Sequence, residues 1–115
     1  MAKFTQTLTT NTSVLVAKVP RVNLGTNQLY SGTVYSQGTF GGGTISWQVS
    51  FDGGVTLMPL KNIAGATAIT QTAAAADNFQ LGVGTLASLT DAPWIYATLA
   101  GAAGATVVVG LLDVN

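Results

Sequence analysis

Apolar and polar residues alternate along most of this chain. Ile45, Trp47, Val49 and Phe51 share one parity and Ser46, Gln48 and Ser50 the other, which is the two-residue period of a strand with one buried face. Read this way, the chain predicts strands over residues 4–9, 13–19, 28–36, 44–51, 55–60, 64–70, 79–86, 94–99 and 106–113, separated by turns rich in Gly, Asn and Pro. The only helix-like stretch is 72–77, whose four consecutive alanines have helical propensity without the length to hold a helix. It serves equally well as the start of a strand. Many short strands with no helices between them predict an all-β fold: a single-domain antiparallel β-sandwich, jelly-roll or immunoglobulin-like, with little or no helix. The 115 residues suffice for one core, with 13–115 as the sandwich domain and 1–12 as an N-terminal arm or a first strand.

Some positions do not fit a simple one-faced pattern. Residues 13–17 and 107–112 are apolar on both faces, so further chain or another subunit must cover them. Tyr30 and Tyr35 have opposite parity, so within one strand one of them points away from the core. Trp47 reads as core, whereas Trp94, which follows Pro93, serves as core or as a contact aromatic. In residues 3–12 Phe4 and Leu8 are the only large apolar side chains. If this segment is an arm, it can add as a strand to a partner's sheet edge with Phe4 as anchor. The candidate partner-binding residues are therefore Phe4, Leu8, Tyr30, Tyr35 and Trp94.

The run Ser50-Phe51-Asp52-Gly53-Gly54-Val55-Thr56-Leu57 contains a turn. Matching the apolar faces of its flanking strands opposes Phe51 to Val55, Val49 to Leu57 and Trp47 to Pro59, which requires a three-residue loop, Asp52-Gly53-Gly54. Asp52 can bond its own turn backbone, and Gly54 suits a left-handed position. The run resembles the Asp box, S-x-D-x-G-x-T, a structural turn of sialidases, with Leu57 where an aromatic is usual. In that family the box is remote from the chemistry, and sialidase catalysis implies an arginine cluster and a tyrosine paired with a glutamate. This chain has one Arg and no Glu.

Charge narrows the chemistry further. Only 7% of residues are charged, against about 25% in ordinary domains, and Lys3, Lys18, Arg21 and Lys61 balance Asp52, Asp77, Asp91 and Asp113. Without His or Cys, the Ser-His and Cys-His nucleophile pairs are impossible. Asp52, Asp77 and Asp91 read as turn residues, no dense loop of oxygen ligands suggests a metal, and the glycine runs lack a P-loop Lys. We expect no enzyme activity, no cofactor and no metal. Four scattered cations do not form a nucleic-acid patch, and no apolar run suggests a signal peptide or a membrane span. A surface of seventeen Thr with Ser, Asn, Gln and Gly, at zero net charge, favours association.

The segment Gly38-Thr39-Phe40-Gly41-Gly42-Gly43-Thr44, then Trp47 to Gly54, and the closing YATLAGAAGATVVVGLLDV resemble small virion proteins of tailed bacteriophages, over residues 32–113. These are β-sandwich capsid decoration, or cement, proteins and related head-surface proteins. The resemblance implies a non-enzymatic protein on the virion capsid surface, assembled in the host cytoplasm. Its partners would be itself, as a homotrimer or another small homo-oligomer, and the major capsid protein. The alternative is a carbohydrate-binding module or a phage fibre or tail-associated binding domain, with Trp94 and a Tyr stacking on sugar.

Overall fold

The computed structural model describes residues 3–18, 29–63, 67–82 and 93–113. Among the described residues nine strands follow one another: β1 (Lys3–Leu8), β2 (Ser13–Lys18), β3 (Leu29–Thr39), β4 (Thr44–Ser50), β5 (Met58–Pro59), β6 (Thr70–Gln71), β7 (Ala75–Gly82), β8 (Trp94–Ala100) and β9 (Thr106–Asp113). They form two antiparallel sheets, one ordered β1-β9-β3-β7 and the other β2-β8-β4-β5, with β6 also paired to β4. The pairing is nested: β1 with β9, β2 with β8, β3 with β7, and β4 with β5 and β6. A long antiparallel ribbon folded over on itself has this order, which is that of the jelly roll among β-sandwiches.

The core lies between the sheets and follows the alternation. Val34, Ile45, Phe79, Ile95, Val107 and Leu111 are fully buried, and Trp47 is nearly so. The two segments that read as apolar on both faces are covered in part within the chain, with Val14, Leu15, Val108 and Leu112 half-buried. In β9 the odd positions Val107, Val109 and Leu111 point into the core. On the other face the half-buried Val108 and Leu112 flank Gly110, and the Tyr35 ring lies against that glycine so closely that a Cβ there would overlap it. In β2 a bulge between Leu15 and Ala17 lets the consecutive residues Val16 and Ala17 both be buried.

Three predicted elements come out differently. The alanine run becomes a bend that enters β7 at Ala75. The strand expected over 55–60 shrinks to the two-residue β5, and of the one expected over 64–70 the described residues 67–70 hold only the start of β6, because the chain branches off the sheet between them. Trp47 N–H donates to Ile69 C=O, Leu60 N–H to Trp47 C=O, and Ile69 N–H to Leu60 C=O, at 2.9 to 3.1 Å. This three-way junction directs a hairpin, with bridge Lys61↔Ala68, across to the other sheet, where Asn62 bridges Phe79. One side of the sandwich is thereby closed. Residues 19, 28, 64–66 and 83–86 of the predicted strands, and Arg21 and Asp91, lie outside the described residues.

Candidate functional site

Chemistry-bearing side chains converge in the loop between β4 and β5. Ser50, at the end of β4, is fully buried, and its hydroxyl donates to Asp52 Oδ1 at 2.8 Å. The same hydroxyl oxygen accepts the Gly54 N–H at 2.8 Å, and Asp52 Oδ1 accepts the Thr56 N–H at 2.8 Å. The Thr56 backbone N–H, and after it the Ser50 hydroxyl, hold the Asp52 carboxyl below its ordinary value of 3.8. The turn thus satisfies its own backbone through two side chains.

The register differs from the expected one. Gln48 pairs with Pro59 and Val49 with Met58, one residue off the apolar match, so Phe51 and Val55 are not opposed. The side-chain network accounts for this, because it spans Ser50 to Thr56 and makes the loop longer than three residues. Both Gly53 and Gly54 have positive φ, 72° and 91°. Asp52, Gly53 and Gly54 are turn residues as expected, within a wider loop.

Below the loop lies the outer face of β8. Gly54 packs so closely on the Tyr96 hydroxyl that a Cβ would overlap it, and that Cβ position is 3.7 Å from Trp94 Cε3. Lys18, in register with Trp94, places Nζ 4.3 Å from the centroid of the Trp94 ring. Above this base the loop exposes its apolar residues: Val55 is 84% exposed, Met58 42% and Leu57 38%. A self-bonded, aromatic-supported turn that displays apolar side chains is suited to gripping another surface. Beside it a cleft of about 330 Å³ is lined by Gln48, Leu57, Pro59, Ile69 and Thr70 among others.

A second polar cluster lies inside the sandwich. Gln71 Oε1 accepts from Ser36 Oγ at 2.7 Å and from Trp47 Nε1 at 2.9 Å, while its Nε2 donates to Asp77 Oδ2 at 3.1 Å. Ser36 and Asp77 belong to one sheet, Trp47 and Gln71 to the other, so the cluster joins the two. No described buried side-chain polar atom lacks a partner. Its role is to give the buried indole an acceptor. Among the described residues no three His, Cys, Asp or Glu gather as metal ligands.

The predicted contact residues do not come together. Phe4 packs half-buried against the core from β1, and Leu8 is 2% exposed and belongs to the core, unavailable to a partner. Tyr35 covers Gly110 on the outer face of the other sheet. The Tyr30 side chain lies outside the described residues. Of those described, only Trp94 adjoins the loop. Sequence reasoning missed Tyr96, whose parity with Trp94 on one alternating strand was the available signal, and it missed Gln71, signalled only by the need of a buried Trp for an acceptor. Comparison with protein-family models, with curated proteins and with solved structures finds no match.

Proposed function

We propose that this chain is a non-enzymatic virion structural protein that decorates and stabilises the outer surface of a phage capsid as a small homo-oligomer bound to the major capsid protein. The observation that carries the reading is the loop of residues 51–57: an apolar tip, with Val55 84% exposed, on a turn held rigid by its own side chains. Ordering costs little when a contact element is already fixed before binding. The low charge and the resemblance to phage head-surface proteins support the same conclusion. The jelly roll agrees with it, but that fold also serves lectins, so it does not choose a function by itself.

The glycan-binding alternative has Trp94 and Tyr96 on one strand face in its favour. Sugar stacking needs an open ring face, and here Lys18 lies over the Trp94 ring while Gly54 packs on the Tyr96 hydroxyl. The test is co-sedimentation of the protein with undecorated phage heads, beside a Val55→Asp/Leu57→Asp variant. Native protein should bind and the variant should lose occupancy with its melting temperature unchanged. Binding to a glycan array with no affinity for heads would overturn the proposal, as would full occupancy by the variant.

A further inference from the structure

Asp52 is the one Asp or Asn of this chain that a Gly follows. Such a dipeptide can rearrange. The Gly53 backbone nitrogen attacks Asp52 Cγ, a C–N bond forms, and one carboxyl oxygen leaves as water with the carboxyl proton and the Gly53 amide proton. The product is a five-membered succinimide. Water then opens the ring at either carbonyl, and opening at the former α-carbonyl leaves isoaspartate, whose main chain runs through Cβ and Cγ and is one methylene longer. Water is the only co-reactant, and the net mass does not change. A side chain on the attacking residue hinders ring closure. Gly53 has none, and a Cβ there would meet nothing within 4 Å. Asp52 itself is exposed.

The bonds around the carboxylate oppose this reaction. Oδ1 accepts the Ser50 hydroxyl and the Thr56 N–H, each at 2.8 Å, and the Ser50 oxygen in turn accepts the Gly54 N–H at 2.8 Å and the Asp52 N–H at 3.4 Å. Hydrogen bonds to an ionised acceptor are the strong ones. A succinimide has no carboxylate, so ring closure gives up both of those made to Oδ1. The reaction also starts from the neutral carboxyl, because oxide is not a leaving group, and the same donors hold Asp52 ionised below its ordinary value.

We infer that Asp52-Gly53 is a site of isoaspartate formation that the Ser50 hydroxyl keeps closed in the folded protein. Ser50 is fully buried at the end of β4, so water does not compete for its hydroxyl. What it guards is the brace of the loop. In isoaspartate the free carboxylate is attached directly to Cα, and the spacing that lets Oδ1 bridge Ser50 and Thr56 is lost. A copy that rearranges therefore loses the support beneath Val55. The inference holds whatever surface the loop touches.

Isoaspartate in protein aged at neutral pH is counted by enzymatic methylation, and peptide fragmentation fixes its position. A peptide of residues 48–58 supplies the unguarded rate. Native protein should convert Asp52 about tenfold more slowly than the peptide, and Ser50→Ala should recover most of that factor. Ser50→Ala also weakens the fold, so Ile45→Val, which trims the core near the other end of β4, is the comparison and should age at the native rate. Native protein as fast as the peptide, Ser50→Ala as slow as native, or Ile45→Val as fast as Ser50→Ala would each overturn the inference.

Discussion

Gly53 and Gly54 have similar backbone conformations and different surroundings. At Gly53 a Cβ would point into open space, so Gly53→Ala should cost about 1 kcal/mol, the penalty of a left-handed residue. At Gly54 the Tyr96 hydroxyl occupies the Cβ position, so Gly54→Val should cost about 3 kcal/mol as strain and displacement add. Denaturant melts of the two variants test this, and equal losses would mean that Tyr96 does not brace the loop. Gln71→Leu poses a similar question inside the core. Removing the acceptor of Trp47 Nε1 and of the Ser36 hydroxyl leaves buried donors unpaired, which predicts a loss of about 3 kcal/mol by the same measurement. At this scale the Ser-Asp-Gly-Thr spacing reveals the left-handed demand at Gly54, but not the one at Gly53. The sequence does not reveal Gln71, because the partners of a buried amide come from strands 24 and 35 residues away.

The loop between β4 and β5 depends on an ionised Asp52. Its folded pKa is depressed, so the stabilisation is present above the ordinary carboxylate value of 3.8 and is lost as pH falls through the lowered folded value. The Thr56 amide should therefore keep its bonded chemical shift at pH 4 and lose it only in stronger acid. Asp52→Asn, which cannot ionise, should abolish that acid transition. A Thr56 shift that titrates at the ordinary carboxylate value would show that the bond does not hold the charge. Seven of the nine predicted strands recur, β9 with the expected ends and six with a displaced end, because alternation reports a half-buried strand directly. The segments over 55–60 and 64–70 do not, because Trp47, Leu60 and Ile69 share backbone bonds at a junction. Hydropathy carries no trace of such branching. The register of the hairpin was misread for a related reason, since matching apolar faces ignored a loop whose geometry is set by polar side chains.

Across the whole molecule, composition and spacing announce an all-β sandwich, but not which strand lies beside which. The nested order is legible only in three dimensions, and with it the placement of Trp94 and Tyr96 under the loop and of Phe4 on the terminal strand of its sheet. That nesting also sets a timetable. Strand β1 is made before β9, its only strand partner among the described residues, and Leu8 pairs with Val107 about a hundred residues further on. At ribosomal speeds of roughly 5–20 residues per second, β1 waits on the order of 5–20 s with both edges open. A chain that closes its longest contacts last folds slowly for its size. During that interval, in a polysome crowded with sister chains, β1 can meet a neighbour's β9 before its own, so crowding during translation favours exchanged strands, and dilution favours self-closure.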